Sequence, residues 1–192
     1  VIAQGMVQFK RMITSFDEVV PDLPTEILGL CQAYIDQIAL FDERIGALDH
    51  EIKGRAKTDE ATSRLMTIPG VGPMCATTIQ AFAPPMEEFS NGREFAAWCG
   101  LVPRQKSTGG RQILGRTSKM GQRDIRRLLI TGAMAVIRWA IRKGPPPGSW
   151  LAKMLARKPR MLVATALANK LARTAWALTT TKENYRIPPL AA

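Results

Sequence analysis

Between residues 25 and 53 an apolar side chain returns alternately four and three positions apart: Ile27, Cys31, Tyr34, Ile38, Phe41, Ile45, Leu48 and Ile52. A repeat of this kind, held for almost four heptads, keeps one narrow seam on one face of one long helix. Pro21 and Pro24 precede it, Thr25 or Asp22 can cap it, and Gly54 is expected to end it. Ile occupies three of the four a positions and larger residues stand at d, a distribution that suits a two-stranded coiled coil. The other reading is an amphipathic helix packed on its own chain by an antiparallel return, but such a helix buries a broader face than this one offers. The expected partner along residues 25–53 is therefore a second copy, giving a homodimer or higher oligomer. Asp36, Asp42, Glu43 and Asp49 flank the seam and read as a solvated face, not as a metal cluster.

Charge divides the chain. Residues 1–60 hold 6 Lys or Arg and 11 Asp or Glu, whereas residues 61–192 hold 21 and 5. With a net charge of +11 overall, the second part points to a polyanion, nucleic acid before membrane. Cys31, Cys75 and Cys99 are too widely spaced for a zinc site or a disulfide framework, and suggest buried thiols in a reducing, cytoplasmic setting. His50 is the sole histidine, which removes His-based metal sites and Ser-His triads. No metal site is expected in this chain. No apolar run reaches the ~18 residues of a membrane span, and no signal peptide opens the sequence. The opening VIAQGMVQF lacks Met, so a natural start upstream of Val1 is expected.

After the polar stretch GRAKTDEATS comes LMTIPGVGPMCATTIQAF. Gly70 and Gly72 flank Val71, and Pro73 can begin a helix. The pattern fits a helix-hairpin-helix, in which exposed amides at a helix start hold a backbone phosphate. An ordinary helix–turn–helix corner would use the same residues. No Gly-Lys-Ser/Thr follows either glycine loop, so a nucleotide-binding P-loop is excluded. Further helices are expected from Ser90 or Asn91 to Gly100, after Gly121, and over about 159–180. Phe95, Trp98 and Leu101 read as core, not as a base-stacking platform. The fold class is all-α: a coiled-coil segment (1–57), a compact helical domain with the hairpin (58–184) and a tail (185–192).

Residues 101–129, LVPRQKSTGGRQILGRTSKMGQRDIRRLL, set eight Lys or Arg against one acid, Asp124. Arg104, Lys106, Arg111 and Arg116 surround Ser107-Thr108-Gly109-Gly110. Such cations could neutralise phosphate oxygens, Arg bidentately, while the glycines admit a close backbone approach. A serine hydroxyl is a weak nucleophile that needs a base or a charge-stabilising site. Ser107 could equally be a turn residue on a basic loop. Candidate DNA contacts are Gly70, Val71, Gly72, Arg104, Lys106, Thr108, Gly109, Gly110, Arg111, Arg116, Lys119 and Arg123. Ser118 reads as a cap for the helix that follows.

The combination TIPGVGP, FSNGREFAAWCGLVPRQKSTGG and LGRTSKMGQRDIRRLLITGA resembles the C-terminal domain of bacterial insertion-sequence transposases related to the pilin-gene invertase. Those enzymes join a RuvC-like DEDD domain to a separate serine domain. The likeness covers roughly residues 64–180, and the preceding helix resembles their linking coiled coil. It implies a serine nucleophile that forms a phosphoserine intermediate with DNA. The family pattern often reads Ser-Ser-Gly-Gly; here Thr108 takes the second place, so Ser107 inherits the role. It also implies Mg²⁺ held by four acids of the RuvC-like domain, and a noncoding guide RNA as a second partner. No counterpart of that domain is found in these residues. The chain is thus expected to be a fragment with no cofactor of its own, inactive without the missing part. Two alternatives stay open: a non-catalytic DNA- or RNA-binding module, and a coiled-coil adaptor.

Overall fold

Helix-forming sequence dominates, and the computed structural model, which describes residues 5–16, 24–107, 110–111 and 113–186, is mostly α-helical. In chain order the helices are α1 (Met6–Thr14), α2 (Thr25–Thr58), α3 (Glu60–Met66), α4 (Pro73–Phe82), α5 (Gly92–Trp98), α6 (Arg123–Lys143), α7 (Trp150–Arg157) and α8 (Arg160–Thr181). A short 3-10 turn, Met86–Glu88, precedes α5. Two strands, β1 (Pro103–Gln105) and β2 (Leu114–Thr117), form an antiparallel ribbon between α5 and α6. The chain divides into two compact units, residues 1–51 and 52–192.

In the first unit α2 carries the heptad seam. It continues through Gly54 to Thr58, because one glycine costs a helix only about 1 kcal/mol and good helix formers surround it. Ile27, Tyr34, Phe41, Ile45 and Leu48 are exposed, and Cys31, Ile38 and Ile52 are half-buried. Lys10 of α1 makes an ion pair with Asp42 at 2.8 Å.

The second unit is built around α8. Val163, Ala164, Leu167, Ala168, Leu171, Ala172 and Ala175 are all buried, so this helix is covered on a broad face by α6, α5 and α3. Its alanines allow neighbours to approach closely. From the apolar positions alone one expects Leu162 and Ala166 on the inner face. Leu162 is instead half-exposed and Ala166 half-buried, whereas Leu167 and Leu171, also expected from the pattern, are buried, and Trp176 is half-buried. Ile125, Leu129, Ala133 and Ile137 of α6 complete the core with Phe95, Leu65, Ile68 and Ile79. Phe95 and Leu101 are buried and Trp98 packs against the core, as their spacing suggested; Phe89 joins Phe95 and Trp98 in a ring cluster with centroids 5.3–5.9 Å apart.

Several elements differ from the sequence reading. The polar stretch before Leu65 is helix α3, whose N-cap Asp59 accepts from the Thr62 N–H at 2.7 Å. This capping turns a polar run into a helix start. Helix α7 begins directly after GPPPGS, with Ser149 as its cap. Ser118 is not the cap of α6: Gln122 is, accepting from the Asp124 N–H. Tyr185 packs on the core, and its N–H donates to Thr67 Oγ1 at 2.9 Å. The rest of the expected tail, from residue 187, lies outside the described residues.

Candidate functional site

The basic stretch folds into the ribbon because its ends are clamped. Gly121 (φ 114°) lies so close to α5 that a Cβ there would stand 1.9 Å from the Trp98 carbonyl oxygen. Gln122 N–H donates to that same carbonyl at 3.1 Å, Lys119 N–H to Gly100 at 3.2 Å and Ser118 N–H to Val102 at 2.8 Å. Arg126 donates to the carbonyls of Cys99 (3.1 Å) and Gly121 (3.4 Å), so this cation is spent on holding the base of the ribbon. Lys119 takes a left-handed conformation (φ 53°) where the chain turns from β2 toward α6.

Pairing runs Pro103 with Thr117 and Gln105 with Leu114, which leaves one extra residue on β2 as a bulge. Arg104, Lys106, Arg111, Arg116, Lys119 and Arg123 are all exposed. Arg104 Nη2 donates to the Ser118 carbonyl at 3.4 Å. Ser107 follows Lys106, whose N–H donates to the Ile113 carbonyl at 2.9 Å. Its Oγ donates to Gln105 Oε1 at 3.2 Å and accepts from the Ile113 N–H at 3.2 Å. The hydroxyl thus bridges the two arms of the ribbon, and neither partner is a general base. Gly110 is exposed with φ 79°. Thr108 and Gly109 lie outside the described residues.

The glycine hairpin lies elsewhere, between α3 and α4. Gly70 has φ 91°, and a Cβ there would meet the Gly132 carbonyl oxygen and Val136 Cγ2 at 2.9 Å. A Cβ on Gly132 of α6 would stand 1.8 Å from the Gly70 oxygen. This pair is a backbone-to-backbone contact that seats the hairpin on α6. Val71 is buried and its N–H donates to Ile68 at 2.9 Å, so both groups serve the fold. Gly72 differs: it caps α4, and a Cβ there would meet nothing within 4 Å.

Cys75 and Cys99 are buried, and desolvation pushes both thiols up to about 12; their mutual repulsion adds to the rise for Cys99. Neither is poised as a nucleophile at neutral pH. Among the described residues no group of three or more His, Cys, Asp or Glu could hold a metal ion. No helix among them is long and apolar enough to cross a membrane.

One feature was missed by sequence reasoning. A groove of about 1290 Å³ runs between β2, the start of α5, α7 and α8, and Arg93, Arg116, Lys170 and Arg173 line it. The four cations come from three distant segments, so no single run of charge announces them.

Fold and site together define a helical domain that presents a cationic β-ribbon tipped by a serine. Residues 62–145 match the family described as Transposase IS116/IS110/IS902, and they constitute a domain of that family. The chain is 42% identical over 164 residues to a protein of Pseudomonas aeruginosa named "Probable family 20 transposase", covering 85% of this chain and 48% of the relative. It is 39% identical over 145 residues to the transposase for insertion sequence element IS1111A of Coxiella burnetii, covering 76% of this chain and 40% of the relative. It is 34% identical over 177 residues to the transposase for insertion sequence element IS1328 of Yersinia enterocolitica, covering 92% and 52%. The chain spans about half the length of the curated relatives it matches.

Proposed function

We propose that this chain is the DNA-binding and serine-bearing part of an insertion-sequence transposase, cutting and rejoining DNA strands through a phosphoserine intermediate at Ser107. One observation carries this reading: the serine stands at the tip of a ribbon whose exposed side chains include Arg104, Lys106, Arg111 and Arg116. The relatives' names as transposases support it. In the reaction Ser107 Oγ attacks phosphorus. The Oγ–P bond forms as one P–O ester bond to a sugar breaks, the seryl proton passes to a base, and the released sugar hydroxyl takes up a proton. The ribbon's arginines stabilise the charge gathered on the non-bridging oxygens. Gly72 and the start of α4 offer a second phosphate contact in helix-hairpin-helix fashion. As the resemblance implies, Mg²⁺ belongs to a RuvC-like domain and a guide RNA is a further partner; α2 joins copies as a coiled coil. The protein works on cytoplasmic DNA.

The Ser107 hydroxyl bridge between Gln105 and Ile113 favours a second reading, a non-catalytic DNA- or RNA-binding module in which this serine only shapes the ribbon. Adduct trapping separates the two. The chain is supplied with the half of the Pseudomonas relative that it does not cover, Mg²⁺ and a labelled DNA substrate. A covalent protein–DNA species that Ser107→Ala abolishes, while DNA affinity changes by no more than a few-fold, supports the catalytic reading. An adduct that survives Ser107→Ala overturns it and leaves the ribbon as a phosphate cradle. The loss of one neutral hydroxyl contact costs only about 1 kcal/mol of binding.

A further inference from the structure

We infer that the groove between β2, α5, α7 and α8 holds one strand of DNA by its phosphates and leads that strand to the ribbon tip. The inference rests on the reading of the ribbon as a DNA contact and extends it to residues that no ribbon motif includes. Three observations carry it.

The first is charge without counter-charge. Arg93, Arg116, Lys170 and Arg173 line one groove, and among the described residues no carboxylate pairs with any of them. Residues 125–182 contain no Asp or Glu at all, so α7 and α8 can supply none. Glu94, the nearest acid in sequence, accepts from the Ser90 N–H at the start of α5. The second is enforced proximity. A Cβ on Gly92 would meet the Arg173 backbone oxygen at 3.0 Å, so the start of α5 lies against α8 beside Arg173. Arg93 follows immediately. Backbone packing therefore brings two like charges into one groove, an arrangement that costs energy unless an anion occupies it.

The third is continuity with the serine. Gly115, Arg116 and Thr117 form one wall, and Ser107 is hydrogen-bonded to Ile113, two residues before Gly115 on the same arm. At the rise of a strand those two residues span only about 7 Å. A phosphate chain lying in the groove thus reaches the hydroxyl within roughly one nucleotide step. Trp150 also lines the groove, is 38% exposed and carries the Lys170 ammonium 5.2 Å from its ring centroid. An indole in this position can stack on a base, which a single strand presents and a duplex hides.

Fluorescence anisotropy of the full chain with a labelled 20-nucleotide single-stranded DNA tests the inference, with the same sequence as RNA and as duplex DNA in parallel. Arg93→Ala/Lys170→Ala/Arg173→Ala should weaken single-strand binding at least tenfold at moderate salt. It should also flatten the log–log salt slope by about 2, at roughly 0.7 per phosphate contact on single strands. Arg93→Lys/Arg173→Lys should retain most of both. Arg104→Ala/Arg111→Ala serves as the ribbon control. If the ribbon variant weakens binding and the groove variant does not, the groove inference is overturned and the proposed function stands. If neither variant changes DNA binding, the proposed function falls as well. A groove variant that loses RNA but keeps DNA overturns the assignment to DNA. Should the triple variant fail to fold, photocrosslinking of the unaltered chain to 5-iodouracil-substituted DNA decides: crosslinked peptides containing Trp150 support the groove, and their absence beside ribbon crosslinks overturns it.

Discussion

At the scale of single residues, glycine has two unlike jobs in this chain. Gly70 and Gly132 let two backbones touch, whereas Gly72 faces open space. Gly132→Ala should therefore force the hairpin off α6 and cost about 1–3 kcal/mol, as overpacking does. Gly72 has an ordinary extended backbone (φ −91°), so Gly72→Ala should change thermal stability little. A drop in DNA affinity with Gly72→Ala at unchanged melting temperature would place the start of α4 in the interface; equal affinity would remove it. Asp59 gives a second test. Hydrogen bonds from the Thr62 hydroxyl and N–H hold its carboxyl below the ordinary 3.8. Because the folded-state value is the lower one, its contribution to stability is fully present above about 4 and is lost as pH falls through the depressed value. Asp59→Asn keeps a capping oxygen but does not titrate, so its urea midpoint should match the parent's more closely at pH 3 than at pH 7. A difference between the two that does not vary with pH would show that Asp59 acts without its charge.

At the scale of elements, α2 carries an apolar stripe that finds little cover among the described residues. Ile27, Tyr34, Phe41, Ile45 and Leu48 are between 44% and 64% exposed, more than an isolated helix keeps in water without a partner. Ile38→Asp/Ile45→Asp should release monomers whose C-terminal unit melts as before, because the core residues of that unit lie on other helices. Light scattering at micromolar concentration checks it, and a monomeric parent would sink the coiled-coil proposal. The ribbon shows the opposite economy. It has almost no apolar burial and is held by backbone hydrogen bonds at its root and by Ser107 at its tip.

At the scale of the whole molecule, the uneven charge of the two halves predicts how DNA binding should respond to salt. Each phosphate contact to duplex DNA contributes about 0.9 to the log–log slope. Arg111→Ala/Arg116→Ala should flatten it by nearly 2 while altering sequence preference little, since cations on phosphates position a duplex without reading bases. A titration series from low to moderate salt measures this. An unchanged slope would take the ribbon out of the interface.

The sequence by itself determined the helical class, the long α2 with its seam, the starts of α4 and α5, and the concentration of cations around Ser107. These follow from period, capping and charge, all of which act between residues close in the chain. Only tertiary structure decided the rest. The ribbon exists because Gly121 can lie against Trp98 and Arg126 can reach the Cys99 carbonyl, contacts between segments more than twenty residues apart. Gly70 turned out to be matched with Gly132, sixty-two positions away, a pairing that no local pattern can announce. The groove is the clearest case. Arg93, Lys170 and Arg173 are each unremarkable in sequence, and they become one cationic surface with Arg116 only when α5 and β2 are folded onto α8. Local spacing fixes which side chains share a helix face; which faces then meet depends on packing volume and backbone approach, and these are properties of the folded chain alone.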